Sequence, residues 1–369
     1  MFRNRAGRLA AWDPALIWPP DALRGRFAGG PDAAPKTLGG LSGGWHGVSA
    51  GDFDGDGRLD LLASNWGRNL RQERYRGHPW RLHAGDFAGT GEWMAIESHW
   101  EPGLRKDVPW MHLGRFLEAM PTLASRFPTF RQFGLAGVDE ILGERRPGSL
   151  ELQAVWLETT LFLQRTNGFE VRPLPDLAQW APAFAVAVAD FDGDGREDVF
   201  LSQNLFAMEP ETGRLDGGRG LCLLGDGRGG FTALDGRRSG LVIHGEQRGA
   251  AVADYDADGR PDLVVTQNGA ATRLFRNRGG RPGLRVRLAG PAGNPEGIGA
   301  VVRVRSAQGL GPAREIHGGS GYWSQDSPVP VLALPADPVA LEVLWPGGRT
   351  RSVPIPPGAT EVRVGIPAP

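Results

Sequence analysis

A nine-residue acidic loop occurs three times and constrains the fold more than any other feature of this chain. The copies run from Asp52 to Asp60, from Asp190 to Asp198 and from Asp254 to Asp262. Each has carboxylates at loop positions 1, 3, 5 and 9 and a glycine at position 6. Four carboxylates around one point repel one another strongly unless a cation neutralises them. Alternating oxygen ligands with a backbone carbonyl at position 7 are typical of calcium loops, so the sequence predicts three calcium sites.

The predicted calcium ligands are the four carboxylates and the position-7 carbonyl of each copy: Asp52, Asp54, Asp56, Arg58 and Asp60; Asp190, Asp192, Asp194, Arg196 and Asp198; and Asp254, Asp256, Asp258, Arg260 and Asp262. A fourth copy begins at Asp86 but has lost the carboxylates at positions 3, 5 and 9. Glu92 or Glu97 could compensate for them, and we leave this fourth site unassigned.

The residues around the loops exclude an EF-hand. That motif needs a bidentate Glu at position 12, where this chain has Ala63, Leu201 and Val265. It also needs flanking helices, whereas the loops are flanked by short apolar runs such as Ala185–Ala189, which are typical of buried strands. Each unit is therefore predicted to be a hairpin whose turn is held by metal.

Composition places the chain among ordinary globular proteins rich in turns. It has 369 residues, 56 Gly and 30 Pro, with a net charge of −1, so no overall field favours nucleic acid or an anionic membrane. The single cysteine, Cys222, lies in an apolar run and is expected to be a buried thiol. No segment is long and apolar enough to insert into a bilayer.

The beginning of the chain duplicates the end of a repeat. Residues 2–7, Phe-Arg-Asn-Arg-Ala-Gly, nearly match residues 275–280, which follow the third loop. The first nine residues, Met-Phe-Arg-Asn-Arg-Ala-Gly-Arg-Leu, do not form a secretory h-region. We therefore expect a truncated N-terminus, with any signal peptide and further blades upstream or with a partner chain completing the ring.

The spacing of the loops fits β-propeller blades. Loops two and three start 64 residues apart, which suits a four-stranded blade. The step from Asp86 to Asp190 is longer and includes apolar residues at helical spacing, so we predict a short helical insertion at about 104–146. We expect an all-β chain with propeller blades over residues 1–280.

These loops resemble the FG-GAP or VCBS repeats of integrin-α-like β-propellers. The residues that follow, including Gly318–Ser324 and Val343–Arg349, resemble the ASPIC/UnbV domain found behind such propellers in the cartilage acidic protein family. The resemblance implies a calcium-binding protein that is extracellular, periplasmic or on the cell surface and is associated with binding or adhesion. It also implies that residues 281–369 form a separate domain.

The C-terminal part is predicted to be a small β-sandwich, because runs such as Ala300–Arg305 and Leu341–Trp345 alternate apolar and polar residues between Gly and Pro. Its polar turn, His317–Ser327, contains Tyr322 and Trp323. Two interpretations remain open for it, a tight loop with anchoring aromatics or a ligand contact.

A ligand surface is expected at the rim opposite the calcium loops, where the first strands begin and the second strands end. Aromatic and amide side chains there suit a glycan or a protein ligand. The candidates are Trp45, His46, Asn65, Trp66, Trp80, Gln203, Asn204, Glu246, Arg248, Gln267 and Asn268. The alternative is that the amides close strand ends and the aromatics pack between blades.

We interpret the chain as a calcium-stabilised binding module. The rival hypothesis is an enzyme, glycan-cleaving or natural-product-tailoring, with Glu246 or His244 acting at the same rim. No motif for phosphate or nucleic-acid binding occurs.

Overall fold

The computed structural model describes residues 1–5, 7–23, 26–27, 31–208 and 212–366. It is dominated by strands, so the predicted all-β class is confirmed. The strands are β1 Phe2–Arg5, β2 Arg8–Ala11, β3 Ala15–Ile17, β4 Val48–Gly51, β5 Asp60–Ala63, β6 Trp80–Gly85, β7 Met94–Glu101, β8 Lys106–Pro109, β9 Leu150–Ala154, β10 Thr160–Arg165, β11 Gly168–Pro173, β12 Ala183–Ala189, β13 Asp198–Gln203, β14 Leu221–Gly225, β15 Phe231–Leu234, β16 Glu246–Ala253, β17 Asp262–Asn268, β18 Ala270–Phe275, β19 Leu284–Ala289, β20 Val301–Ser306, β21 Gly309–Leu310, β22 Arg314–Glu315, β23 Val331–Leu332, β24 Pro338–Leu344, β25 Thr350–Pro354 and β26 Glu361–Gly365.

The described helices are short. The α-helices are α1 Pro20–Leu23, α2 Leu113–Ala119, α3 Leu123–Arg126, α4 Phe130–Gly134, α5 Val138–Leu142 and α6 Gly236–Ser239. Single 3₁₀ turns occur at Pro31–Ala33, Leu38–Gly40, Arg71–Tyr75, Gly143–Arg145 and Asp176–Gln179. None of the helices in the described ranges is long and apolar enough to cross a membrane.

The chain forms two compact units. The smaller comprises Met1–Ala15, Pro20–Gly44 and Leu70–Leu157, and the larger comprises the remaining residues. In the smaller unit, β1 and β2 form a hairpin and a second sheet has the order β8-β7-β6-β9. Helices α2 to α5 share a core with that sheet, in which Phe116 and Ile141 pack with Ile96 of β7. These helices lie within the range predicted for the helical insertion.

The first sheet of the larger unit is interrupted in sequence. Its order is β3-β11-β10-β5-β4, with Leu161 of β10 opposite Leu62 of β5. Residues 64–159 therefore leave the sheet after its second strand and return to form its third. The Asp86 hairpin lies inside this interruption. The predicted series of blades over residues 1–280 includes this hairpin, whereas the pairing of β5 with β10 leaves it out of the three serial sheets.

Two further sheets, β12-β13-β14-β15 and β16-β17-β18, follow in chain order. Side chains alternate between the two faces of a strand, and this alternation links the three sheets. Val199 and Leu201 of β13 pack with Leu62 and Leu161 of the first sheet, whereas Phe200 between them packs with Val265 of the third sheet. The second sheet therefore buries one face against the first sheet and the other against the third.

Residues 284–365 form a sandwich of two sheets around one core, which confirms the predicted β-sandwich. One sheet is β23-β19-β26, with β19 and β26 parallel, and the other contains β20, β24 and β25 with the short β21 and β22. Val286 and Val364 of the first sheet pack with Val302, Leu341 and the fully buried Trp345. Cys222, predicted to be a buried thiol, is indeed buried in β14.

We expect Phe200→Ala to destabilise the protein strongly. Phe200 is 0% exposed between the second and third sheets, so truncation leaves a cavity and should cost about 3–5 kcal/mol. Leu274→Ala, at a side chain that is 56% exposed, is the control and should change the free energy of unfolding by less than about 0.5 kcal/mol. Urea denaturation measures both, and equal destabilisation by the two variants would contradict the packing described here.

Candidate metal centres and the opposite rim

The three acidic loops are the turns of the first hairpin in each of the three sheets. We call Asp52–Asp60 loop I, Asp190–Asp198 loop II and Asp254–Asp262 loop III. In each, the position-9 aspartate begins the second strand directly opposite the last residue of the first strand: the pairs are Gly51 with Asp60, Ala189 with Asp198 and Ala253 with Asp262. Strand register therefore brings positions 1 and 9 to the same end of the hairpin.

The same backbone hydrogen bonds recur in all three loops. The position-1 carboxylate accepts from the N–H of the position-6 glycine, at 3.0 Å in loop I, 2.8 Å in loop II and 3.0 Å in loop III. That glycine has positive φ in each loop, which suits a residue without a Cβ. The position-9 carboxylate accepts from the N–H at position 2, at 3.0, 2.8 and 3.2 Å. The loop backbone thus orients both carboxylates inward.

The third strand of each sheet also contacts the loop, which the sequence analysis did not anticipate. The second oxygen of each position-9 aspartate accepts a backbone N–H, and the donors are Gln164 at 2.7 Å, Gly225 at 2.9 Å and Asn277 at 2.7 Å. These residues lie in or just after β10, β14 and β18. They belong to the Asn-Gly and Gly-rich turns visible in the sequence, but only the strand pairing shows which loop each one meets.

The loops gather three carboxylates each in positions that could hold a metal ion. The carboxylate oxygens lie within 4.8 Å of one another in each cluster, and the clusters are Asp52, Asp54 and Asp60; Asp190, Asp192 and Asp194; and Asp254, Asp256 and Asp262. Asp56, Asp198 and Asp258, predicted as ligands, lie outside these tightest groups. At position 7, the N–H groups of Arg58, Arg196 and Arg260 donate to the position-5 carboxylates, and their carbonyls remain predicted ligands.

The burial of these carboxylates fits a cation. Asp52 is 1% exposed, and its Oδ1 has no hydrogen-bond partner among the described residues. Burial raises the pKa of Asp60 to about 7, that of Asp190 to about 6 and that of Asp198 to about 8. Neighbouring loop carboxylates add to the effect for Asp60 and Asp198. A divalent cation would remove this penalty by neutralising the buried charges.

Arginines partly offset the outer charges of the loops. Arg165 of β10 lies 2.7 Å from Asp54, and Arg276 lies 2.6 Å from Asp256 and 3.1 Å from Asp258. These arginines contact positions 3 and 5, whereas the buried aspartates at position 9 accept backbone N–H groups. Arg165 and Arg276 therefore leave the buried position-9 charges of loops I and III unpaired with a cation.

The weak fourth copy keeps its turn without the acidic cluster. Asp86 accepts backbone N–H groups from Gly89, Thr90 and Gly91 at 2.7, 3.0 and 2.8 Å. Glu97, suggested as compensation, lies 3.5 Å from Arg71, and Glu92 is exposed. One carboxylate that accepts three backbone N–H groups is therefore enough to hold this turn. The metal-compatible clusters in the described ranges lie in loops I, II and III.

Several rim amides predicted to face a ligand are buried instead. Asn65, Gln203 and Asn204 are at most 2% exposed. The Asn204 side chain bonds the backbone of Gly218 and Gly245. We therefore correct the predicted rim by removing these three residues, which close strand ends as the alternative interpretation had it. Gln267 is half-buried and Asn268 is exposed, so both stay within reach of solvent.

An aromatic stack occupies the rim. The His46 ring stacks on Phe184 with centroids 4.3 Å apart and lies 6.3 Å from Trp66. The Arg248 guanidinium lies 4.0 Å from the centre of Phe184, and Tyr322 lies 5.3 Å from it. Trp323, next to Tyr322, is 92% exposed. The C-terminal segment therefore contributes to this surface, which the sequence suggested only as one of two interpretations.

Two other rim aromatics are placed separately. Trp45 packs near Phe162 with centroids 5.8 Å apart, and Trp80 begins β6 in the smaller unit.

The titratable groups at the rim are engaged in structural contacts. Glu246 is 6% exposed, and burial alone would raise its pKa, but bonds from Phe206 N–H and Asn268 and the charge of Arg248 hold that pKa below its usual value. Burial lowers the pKa of His46, whose Nδ1 lies 2.8 Å from the Ala183 carbonyl. Both groups act as anchors: Glu246 stays ionised and His46 stays neutral at neutral pH.

Comparison with known proteins gives two matches. The family described as ASPIC and UnbV matches residues 290–368, so the sandwich carries this domain. Cartilage acidic protein 1 of Xenopus tropicalis is 28% identical over 207 residues, covering 52% of this chain and 31% of that protein. The match thus spans about a third of the relative's length. The acidic loops and the sandwich occur here in the order that the resemblance implied.

We expect Asp60 and Asp198 to contribute less to the stability of the metal-free protein as pH rises from about 4 to about 8. The raised pKa values of Asp60 and Asp198 mean that the native state holds protons that the unfolded chain releases near pH 4, so ionisation favours unfolding across this window. A divalent cation bound to the ionised carboxylates should reverse the trend. Tm measured against pH after metal removal tests this. Relative to the wild-type protein, Asp60→Asn should lose less stability as pH rises over this window, and equal slopes for the two proteins would contradict the prediction.

Proposed function

We propose that this protein is a calcium-binding β-propeller module that acts outside the cytoplasm and binds a glycan or protein ligand at the rim opposite its calcium loops. In this proposal calcium is structural. Each ion neutralises the buried carboxylates of one loop and fixes one hairpin turn.

The buried, unpartnered Oδ1 of Asp52 is the observation that carries the calcium proposal. An ionised oxygen without hydrogen bond or water is costly in a protein interior, and a metal ion is the partner that three inward carboxylates suit. Loops II and III repeat the backbone pattern of loop I, which supports the same ligand in all three. Carboxylate and carbonyl donors in a flexible loop favour calcium over the more strictly octahedral magnesium.

The serial packing of the three sheets supports the propeller. A propeller blade buries one face against the preceding blade and one against the next, as the second sheet does with Val199 and Phe200. Serine hydroxyls link successive blades: Ser64 donates to the Phe184 carbonyl at 2.6 Å and Ser202 to the Arg248 carbonyl at 2.5 Å. Three blades are fewer than a closed ring of this kind uses, so upstream blades or a partner chain would complete it.

The aromatic rim supports a ligand surface. Exposed Trp323 offers an open ring face beside Tyr322, and Asn268 adds an amide within reach of solvent. Sugar rings and peptide side chains stack on such faces while amides accept or donate hydrogen bonds.

The compartment is proposed from affinity. Loops of this type bind calcium at about 10⁻⁴–10⁻³ M in extracellular modules, a concentration that the cytoplasm does not provide. The similarity to a cartilage acidic protein agrees with this location.

We expect the protein to take up three calcium ions, which isothermal titration calorimetry of the stripped protein would count. Asp52→Asn, Asp190→Asn and Asp254→Asn should each remove one ion, because each replaces an inward carboxylate of a different loop. Saturating calcium at about 100 times Kd should add about 2.7 kcal/mol per site to the free energy of unfolding.

Asp86→Asn is the matched control, since it changes position 1 of the copy that lacks the acidic cluster. It should leave the calcium count unchanged. Absence of uptake by the wild-type protein would end the calcium proposal.

We expect Trp323→Ala to weaken ligand binding by about tenfold, since an exposed stacking platform is lost. Arrays of glycans and of extracellular proteins, probed with and without chelator, would identify the ligand. Trp93→Ala is the control, because Trp93 is also an exposed tryptophan, at 69%, but lies in the smaller unit. Cleaved or modified products from array ligands would instead favour the enzyme hypothesis, and equal binding by both variants would contradict the rim surface.

A further inference from the structure

The C-terminal sandwich contacts all three calcium loops. The N–H of Ala313 donates to Oδ2 of Asp52 at 2.8 Å, and Arg285 of β19 lies 2.9 Å from Oδ2 of Asp254. In loop II, Arg314 of β22 makes a two-pronged ion pair with Glu197, which is 4% exposed. Two of these contacts fall on position 1, the first predicted calcium ligand.

In loop I the sandwich bonds one oxygen of the Asp52 carboxylate and leaves the other free for a metal ion among the described residues. Oδ2 of Asp52 accepts the N–H groups of Gly57 and Ala313, whereas Oδ1 remains without a partner in the described part of the chain. A cation on Oδ1 would not compete with Ala313. It would instead fix the orientation of the carboxylate that Ala313 bonds, so the two interactions favour each other.

From loop I, a C-terminal segment runs along the inner edge of the blades. We call residues 317–327 the finger. Gly321 pairs with Val48, the first residue of β4, and its N–H donates to Ser49 Oγ at 2.9 Å. Because Ala313 lies at the loop end of β4 and Gly321 at its rim end, the segment follows the whole strand.

The finger then returns along β16. Ser324 Oγ accepts the N–H of Ala250 at 3.0 Å, Asp326 accepts the N–H of Val252 at 2.7 Å, and Ser327 donates to the Val252 carbonyl at 2.8 Å. His317 and Asp326 lie 3.5 Å apart and link the two sides of the finger. Edge groups of β4 and β16 are thus paired by a segment of the sandwich.

Glycine allows the finger to approach this closely. A Cβ on Gly321 would lie 2.7 Å from the backbone nitrogen and 2.8 Å from the carbonyl oxygen of Val186, in β12. On Gly319, in the same finger and also at positive φ, a Cβ would meet its nearest atom only at 3.9 Å. Alanine substitutions at the two glycines therefore distinguish a loss of close packing by the finger from the backbone strain of a positive φ.

We propose that calcium binding and seating of the sandwich with its finger are thermodynamically coupled through the loop carboxylates. Calcium at one end of the blades thereby holds Tyr322 and Trp323 at the rim at the other end. The proposal rests on the proposed calcium function and adds a role for the C-terminal domain, which locks onto the metal-bound loops.

Hydrogen exchange of the full-length chain tests the coupling in one direction. Removing calcium should speed exchange in peptides covering residues 313–327 by about tenfold, while peptides from the sandwich core strands β20 and β24 keep their protection. Asp54→Asn is the sharper variant. Asp54 is a predicted loop I ligand whose side chain pairs with Arg165 of β10, so any loosening of residues 313–327 must pass through the metal site. Asp86→Asn is the control.

Calcium titration tests the opposite direction, because coupling is reciprocal. Gly321→Ala should lower calcium affinity by about fivefold or more, whereas Gly319→Ala, also at a positive φ (94° against 55° for Gly321) but with room for a Cβ, should change it little. Arg285→Ala should speed exchange in residues 313–327 even in calcium. Arg287→Ala, two residues along β19 and paired 3.2 Å from Glu361, is its control.

The outcomes separate the two proposals. Calcium uptake with unchanged exchange in residues 313–327 and equal affinities for the two glycine variants would overturn the coupling and leave the calcium function standing. Failure of the wild-type protein to bind calcium would overturn both.

Discussion

Carboxylates buried at hairpin turns are the constraint on which the larger unit depends. The position-9 aspartates are 2% exposed or less and start the second strand of each sheet, so they cannot move into solvent without breaking strand register. Their oxygens are already used by the loop backbone on one side and by the third strand on the other. Among the described residues, Oδ1 of Asp52 has no hydrogen-bond partner, so a cation there would complete a framework that the backbone has already positioned.

The sequence predicted local features well because they follow from short spacings. Alternate aspartates with glycine at position 6 predicted the turns, apolar runs predicted the strands on either side, and alternation in residues 300–305 predicted a sandwich strand. Features that depend on distant pairing were missed. The pairing of β5 with β10 joins strands separated in sequence by Leu70–Leu157 of the smaller unit, and no periodicity in the sequence records that Gln164 meets Asp60.

The rim shows why residue type alone misidentified part of the candidate site. Asn and Gln side chains at strand ends can hydrogen-bond backbone groups as well as they can bind a ligand. The two uses differ in whether the side chain is buried or exposed. Asn204 bonds two carbonyls and one N–H and is 0% exposed, whereas Asn268, at the same place in the next hairpin, is exposed. Asn204 follows β13 of the second sheet and bonds Gly245, which directly precedes β16 of the third sheet. Asn268, by contrast, ends β17 of the third sheet itself. Position within the series of sheets decides which amide remains available.

The finger pairs two strand edges that would otherwise be open. β4 and β16 are the edge strands of their sheets, and unpaired edges invite association with other chains. Here Gly321, Ser324 and Asp326 supply the missing partners from the sandwich. Because the same sandwich also bonds Asp52 and Asp254, the covering of the edges and the charge state of the loops cannot be independent. A cation that fixes the loop carboxylates also favours the segment that pairs the edges, so the C-terminal domain acts as a part of the blade assembly rather than as an appended module.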